Sequence, residues 1–304
     1  MRNVLVTGGA GFIGHHLVNR LLQVTENKII VIDDLSNGDK RRLDGKVAFY
    51  KQDIRDKKAI AEIIKKEKVD CCIHLAAKIS VAESIVRPES TVGVNVDGTL
   101  ALLEACSGRI KNFIFASSAA VYGRQTRLPI SENQPLAPLS VYGATKMAGE
   151  GLVSAYTNSR QIPQATILRF FNAYGQNQSL EYAGVIAKFA ERLAEGKPPI
   201  IFGDGLQTRD FVSVEDIVGA IILAMDSTTS GVYNIGTGRP VSVNDLAASM
   251  IRIMGLNVTP IHRDLVDGEI LHSYADTKKA KSELGFVATT DLQTQLKKLM
   301  QLPA

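Results

Sequence analysis

Six short runs of β-branched and other apolar residues recur through the first 170 residues: NVLVT (3–7), KIIVID (28–33), VAFYKQD (47–53), VDCCIHLAA (69–77), NFIFASS (112–118) and QATILRF (164–170). Between them apolar residues return every three or four positions, over Phe12 to Gln23, Lys57 to Lys66, Thr91 to Ala105 and the stretch around Tyr142 and Lys146. The runs are apolar at successive positions, which predicts strands buried on both faces and therefore a parallel sheet with helices on each side. Strand and helix in alternation predict an α/β, doubly wound fold. Past Phe170 the rhythm loosens and Gly and Pro punctuate more often, as in EGKPPIIFGDGLQTRD, NIGTGRP and DLVDGE. These segments, with helices expected near Ala183 to Ala194 and Val243 to Met254, predict a smaller, mixed α/β C-terminal lobe that binds substrate over the carboxyl edge of the sheet, where ligands sit in open α/β folds. The expected division is 1–170 for the sheet domain, with 206–236 returning to it, and 171–205 with 237–304 for the lobe. No internal repeat or low-complexity tract interrupts this plan.

Composition narrows the function classes. The chain has 304 residues, 45% hydrophobic and 22% charged, which is ordinary for a globular protein with a sizeable core. Its 35 Lys and Arg exceed 31 Asp and Glu by only four, and the basic clusters at Lys40 to Arg42 and Lys65 to Lys68 are short, so no nucleic-acid surface is expected. Three cysteines, two of them adjacent (Cys71, Cys72), form no disulfide framework and point to a reducing, cytoplasmic setting. The N-terminus runs directly into RNVLVTGGAGFIG, leaving no room for a targeting segment, and no apolar stretch is long enough to cross a bilayer, so no membrane partner is expected. The five histidines (His15, His16, His74, His262, His272) show no ligand spacing with one another or with cysteine, so no metal is expected. His74, inside an apolar run, reads as a core residue.

The first strand is followed by TGGAGFIG, in which Gly9, Gly11 and Gly14 satisfy G-x-G-x-x-G and Gly8 begins a second set spaced by three. Alone the pattern is weak. Between a strand and a helix it gains meaning, because missing β-carbons let backbone N–H groups and the helix's positive end approach a pyrophosphate, as in the Rossmann arrangement. Asp33 closes the next strand about 20 residues on, the place from which a carboxylate accepts hydrogen bonds from an adenosine ribose. A 2′-phosphate there would meet like charge, which favours NAD, although Arg41 and Arg42 in the following loop leave NADP as the alternative.

Tyr142 and Lys146, in SVYGATKMAGE, stand four residues apart and so share one face of a helix. A phenol ordinarily titrates near ~10; an ammonium close by, joined by the positive ring of NAD, lowers that value toward what a general base requires. Tyr-x-x-x-Lys is common, and an isolated copy marks no more than an amphipathic helix with a surface lysine. Here FIFASSAAVYG adds hydroxyls, Ser117 and Ser118, at the end of a sheet strand.

At this point the chain resembles the extended short-chain dehydrogenase/reductase superfamily, and within it the sugar-nucleotide epimerases of the UDP-glucose 4-epimerase type. The likeness rests on TGGAGFIG, VIDDLSNG, QDIRD, IHLAA, NVDGTL, SSAAVYG, YGATKMAGE, LRFFNAYG, GDGLQTRDFVSVEDI, YNIGTG and SYADTKKAKSELGF, in order over almost the whole length. It implies a cofactor site in which Gly8, Gly11, Phe12 and Ile13 hold the pyrophosphate and Asp33, with Asn37 close by, holds the adenine ribose. Asp53 and Ile54 flank the adenine, Leu75, Ala76, Ala77 and Phe170 line the cofactor, and Tyr142 and Lys146 reach the nicotinamide end. Ser118 takes the proton-relay position, and the substrate positions are Ser118, Asn172, Val185, Phe202, Arg209, Glu269 and Ser273, with Asn172 and Arg209 on the diphosphate. A homodimer is also implied, because the helices over Thr91 to Ala105 and Tyr142 to Tyr156 are the ones that pair across a two-fold in relatives.

The reaction implied is inversion at C4 of a UDP-linked sugar through a transient 4-keto sugar, with Tyr142 as base and acid and NAD restored at the end. Ala119 and Ala120 occupy the places where 4,6-dehydratases carry Asp and Glu, which disfavours elimination of water. Ser273 stands where side-chain bulk limits the C2 substituent, and its small size implies acceptance of an N-acetyl group as well. One departure concerns the diphosphate: Val266 replaces the arginine expected before GEILHSYAD, leaving Arg209 as the main phosphate ligand, with Arg263 three residues upstream. The alternatives are a nucleotide-sugar reductase or dehydrogenase that consumes soluble cofactor, and an NAD-binding sensor without turnover.

Overall fold

The computed structural model describes residues 2–24, 26–178, 184–265 and 268–301. In chain order its elements are β1 (Asn3–Thr7), α1 (Phe12–Val24), β2 (Lys28–Asp33), β3 (Ala48–Lys51), α2 (Lys57–Glu67), β4 (Cys71–His74), α3 (Val81–Val86), α4 (Pro88–Val92), α5 (Gly98–Cys106), β5 (Asn112–Ser118), α6 (Val141–Asn158) and β6 (Gln164–Phe170). There follow β7 (Asn172–Tyr174), α7 (Val185–Ala194), β8 (Ile200–Phe202), β9 (Thr208–Arg209), β10 (Phe211–Ser213), α8 (Val214–Asp226), β11 (Gly231–Ile235), β12 (Val241–Ser242), α9 (Val243–Met254), β13 (Ile261–Arg263), β14 (His272–Ser273) and α10 (Leu292–Met300). Ala183, where a helix was expected to begin, lies outside the described residues, as does Val266.

Seven strands form one sheet in the order β11-β6-β5-β4-β1-β2-β3. β1 pairs in parallel with both β2 and β4, β2 with β3, and β4 with β5. This is the doubly wound fold the apolar runs predict. The strand order turns back between β1 and β4, which opens a crevice beyond the carboxyl ends of those two strands. There Thr7 is paired with His74 and its carbonyl accepts the Leu75 N–H at 3.1 Å, so the glycine turn and Leu75–Ala77 leave the sheet side by side.

Local chemistry fixes the element ends. Asp56 caps α2 by accepting the Ala59 N–H at 3.1 Å, and the helix stops at Lys68, whose φ of 51° is left-handed. Ser140 caps α6 through the Gly143 N–H at 3.1 Å, and Ser84 of α3 accepts the Tyr142 N–H at 3.2 Å. The helix expected over Thr91 to Ala105 is present and continuous, with a π turn at Gly93–Asp97 joining α4 to α5. Its extra residue turns Asn95 inward, where Oδ1 accepts the Lys78 N–H at 2.8 Å and Nδ2 donates to Lys78 O and Thr145 Oγ1 at 2.9 and 3.0 Å.

The chain divides into two compact units, Met1–Gly123 with Pro135–Arg169 and Val218–Tyr233, and Arg124–Gln134 with Phe170–Ile217 and Asn234–Ala304. They differ from the expected division at 124–134, 170, 206–217 and 234–236, all of which go with the second unit. The core of the first is built from strand residues such as Leu5, Ile30, Ile32, Cys72, Phe113 and Phe115 against Ile60, Ile64, Leu102 and Leu103 of the helices. Each such side chain contributes about 1.5–3 kcal/mol by leaving water. The second has its own core, in which Ile186, Phe189 and Leu193 of α7 meet Leu246, Ala247 and Met250 of α9.

Candidate active site

The turn after β1 is closed to side chains. Gly8 has φ +68°, and a Cβ on it would lie 2.7 Å from Ala76 N; a Cβ on Gly14 would run into Gly8 O. Only glycine suits either place. α1 opens at Phe12, so the first-turn N–H groups of Phe12 and Ile13 have no acceptor within the helix and sit beside this bare backbone. A pyrophosphate fits such a cradle. The buried Asp33 carboxylate accepts the Ala10 N–H on Oδ2 at 2.9 Å and the Leu35 N–H on Oδ1 at 2.8 Å. Each oxygen keeps a lone pair for a ribose hydroxyl, and burial pushes the carboxyl pKa up. Arg41 forks onto Asp39 at 2.9 and 2.8 Å, and Arg42 Nε lies 4.0 Å from the same carboxylate. The loop thus pairs with its own acid the two cations that could have favoured NADP, and the donors and acceptors around Asp33 fit NAD.

The remaining cofactor positions divide. Leu75, Ala76 and Ala77 are half-buried beside the turn, and Ile54 is buried, where its Cδ1 would meet a Cβ on Gly98 at 2.6 Å. Asn37 is exposed in the loop after β2. Asp53 forks onto Arg55, with Nε at 3.0 Å from both oxygens, and the Arg55 hydrogen bond holds its carboxyl below the usual range. Phe170 ends β6 and is buried.

At the end of β5 three successive residues each meet α6. Ala116 O accepts from Lys146 Nζ at 2.8 Å, Ser117 donates to Glu150 Oε1 at 2.5 Å, and the Ser118 side chain is near enough to the Tyr142 phenol to favour its ionised form. Ser118 Oγ accepts the Ala120 N–H at 3.2 Å, which leaves its own proton free to donate. Lys146 is buried, with its ammonium 5.1 Å from the Phe115 ring centroid. Burial pulls its pKa down to about 8, against an opposing pull from Glu150. Burial pushes the Tyr142 phenol up, with the Ser118 hydrogen bond working against it. Desolvation of the phenolate thus prevails in the chain by itself, and the lowering expected calls on the ammonium together with the positive ring of NAD. Ala119 and Ala120 follow in a 3-10 turn and bring no acid to this place.

In the second unit, β9 pairs with β14 so that Arg209 stands opposite Ser273. The Arg209 guanidinium is paired with Glu269 and donates to Thr208 O at 2.9 Å, so Arg209, Glu269 and Ser273 gather in one place. Asn172 is exposed at the start of β7, its N–H on Asp210 O at 3.0 Å. Phe202, 46% exposed, ends β8 opposite Arg263 of β13, and Val185 opens α7.

Two groups of buried polar residues escape a motif reading. One is Glu150 with Arg169, Ser117 and Tyr122. The other runs from Thr7 through His74 to Thr99, with His74 Nδ1 2.7 Å from Thr7 Oγ1 and Nε2 2.9 Å from Thr99 Oγ1. Thr99 gives its own proton to Asn95 O at 2.6 Å, so His74 donates from Nε2 and accepts at Nδ1. His74 is thus a satisfied core residue, and burial lowers its pKa to about 3. Their letters lie inside the quoted runs, but no spacing marks them. Among the described residues no group of three His, Cys, Asp or Glu could hold a metal ion, and no helix is long and apolar enough to cross a membrane.

Comparison with known proteins bears on this geometry. A Methanocaldococcus jannaschii protein, provisionally named a UDP-glucose 4-epimerase, is 40% identical over 300 residues, covering 98% of this chain and 97% of its own. The crystal structure of UDP-glucose 4-epimerase from Thermotoga maritima with UDP-glucose superposes with a TM-score of 0.95 at 37% identity, over 98% of this chain and 97% of that one. The Thermus thermophilus UDP-glucose 4-epimerase complex with NAD gives a TM-score of 0.90 at 32% identity, over 98% and 97%. Residues 4–236 match the profile of the NAD dependent epimerase/dehydratase family. With a glycine cradle, a ribose-binding acid and a Ser-Tyr-Lys cluster in one unit, and with these likenesses over nearly its whole length, the chain belongs to the NAD dependent epimerase/dehydratase family.

Proposed function

We propose that this protein is an NAD-dependent 4-epimerase of UDP-linked hexoses, with Tyr142, Ser118 and Lys146 carrying its proton chemistry. The observation that carries the reading is the meeting of β5 and α6, where Lys146 Nζ is held on Ala116 O one turn from Tyr142, and Ser118 ends the same strand. The glycine turn, the first amides of α1 and Asp33 would hold NAD. When bound, NAD supplies a hydride acceptor that gives the hydride back to the same carbon. Tyr142 takes the proton of the sugar 4-hydroxyl, directly or through Ser118, and later returns it. Positive charge beside the phenol lowers its raised pKa, and Lys146, near 8, is largely protonated at neutral pH to provide it. Asn172 and Arg209 are assigned to the diphosphate, Val185 and Phe202 to the nucleoside, and Glu269 to holding the Arg209 fork. The small Ser273 admits an N-acetyl group at C2.

Proton NMR of UDP-glucose, UDP-N-acetylglucosamine and dTDP- and GDP-sugars with the protein tests this. Both UDP sugars are expected to invert at C4 with no net build-up of reduced cofactor, which separates an epimerase from a reductase. Tyr142→Phe is expected to lower turnover about a thousandfold, and full activity in that variant would remove Tyr142 from the mechanism.

Two further assignments belong to this reading. α3, α4 and α6 pack together and carry Ile85 and Val86, 66% and 78% exposed, with Val92 and Met147, an apolar face suited to a second copy of the chain. The three cysteines are buried and unbridged, which accords with work in the cytoplasm.

A further inference from the structure

Behind Lys146 lies a charged pair that the mechanism above does not use. Glu150 follows Lys146 by one turn of α6, and Arg169 of β6 grips its carboxylate with both ends of a fork, Nε to Oε1 at 2.9 Å and Nη2 to Oε2 at 2.6 Å. Ser117 adds its hydrogen bond to Oε1 at 2.5 Å. The third arm of the guanidinium, Nη1, donates to the Tyr122 hydroxyl at 2.8 Å. All four residues are buried. Stability alone is a poor reason for such a pair, because apolar residues of similar volume often do as well or better. Its placement is more telling. Tyr142, Lys146 and Glu150 form one stripe of α6, and the stripe meets Ser118, Ala116 and Ser117 at the strand end that carries the proton chemistry.

We propose that Glu150 and Arg169 are positioning residues that set the charge balance around the Lys146 ammonium, and thereby the pH range in which Tyr142 exchanges a proton. The inference rests on the acid/base role given to Tyr142 above. Burial favours neutral Lys146, and Glu150 is the charge that opposes it. Other groups on the neighbouring elements contribute little. His74 of β4 is neutral within its hydroxyl pair, β5 offers the Ala116 carbonyl and the Phe115 ring, and the Tyr122 hydroxyl is taken up by Arg169. Glu89, Asp97 and Glu104 on the helices beside α6 are exposed, and Glu83 is half-buried in the first turn of α3.

The pair therefore has a directional signature. Without the carboxylate, Lys146 loses its proton more readily, and Tyr142, deprived of the ammonium beside it, holds its own proton longer. Without the guanidinium, the bare carboxylate keeps Lys146 protonated to higher pH, and the ammonium lets Tyr142 release its proton more readily. A pair serving only to support the fold would reduce activity in either variant without moving the titration in opposite senses.

The test is an ultraviolet titration of the Tyr142 phenolate in NAD-bound protein, as the difference between each background and the same background carrying Tyr142→Phe. Glu150→Gln is expected to move the midpoint up by about one pH unit, Arg169→Met to move it down, and the double variant to return it close to the parent. The pH profile of kcat with UDP-glucose is expected to move in the same senses. An unmoved midpoint in Glu150→Gln, or a double variant that stays with Glu150→Gln, overturns the proposal. If Arg169→Met does not fold, Glu150→Gln, which is nearly isosteric, decides alone. The titration needs no turnover, so a protein that failed to epimerise UDP sugars would refute the function proposed above and leave the outcome here readable.

Discussion

Which protons the folded chain holds is decided at single residues, and His74 makes the clearest case. Its folded pKa of about 3 lies below the ordinary 6.5, so the unfolded chain binds a proton that the folded one refuses. The stability owed to neutral His74 is complete above about pH 6.5 and is lost as the pH falls toward 3, an effect of a few kcal/mol. Urea unfolding over that range is expected to show a steep loss in the parent and a flatter one in His74→Gln, and parallel curves would exclude His74 as the source. Such chemistry is legible unevenly. Gly8, Asp33, Ser118, Tyr142 and Lys146 can be picked from the sequence because their roles require fixed offsets from a strand or helix end. Glu150 and Arg169 cannot, since two residues 19 apart on different elements meet only once the helix lies on the sheet. In the same way, spacing shows which face Lys146 is on but not that its ammonium is bound to Ala116 O.

Elements were legible in kind and less so in extent. The run VDCCIHLAA suggests nine strand residues, but β4 keeps Cys71–His74, because Leu75–Ala77 leave the sheet beside the glycine turn. The π turn inside the helix over 91–105 is the larger surprise. A period of 3.6 tolerates one extra residue without visible change in pattern, so the π turn at Gly93–Asp97 is hidden until Asn95 is seen to hold Lys78 and Thr145. Asn95→Ala removes those bonds and leaves buried groups unpaired, and is expected to cost about 2–3 kcal/mol in urea unfolding. An unchanged midpoint would show that the turn does not depend on its asparagine.

For the whole molecule, the parallel, doubly wound sheet follows from alternation of strand and helix, whereas the division into units does not, because Arg124–Gln134 and Phe211–Ser213 carry no mark of the company they keep. Assembly belongs to this scale as well. If the apolar face of α3, α4 and α6 receives a second copy, Ile85→Asp with Val86→Asp is expected to turn a dimer into a monomer in sedimentation, and an unaffected dimer would place the contact elsewhere. One feature of the path reaches beyond any site: the chain passes from one unit to the other at 123/124, 134/135, 169/170, 217/218 and 233/234, five times in all. Neither half can be cut out, expressed or inherited as a continuous cassette. Exchange of the second unit between homologous genes requires five seams in register at once, so new specificity reaches this scaffold far more readily by single substitutions than by shuffling of modules.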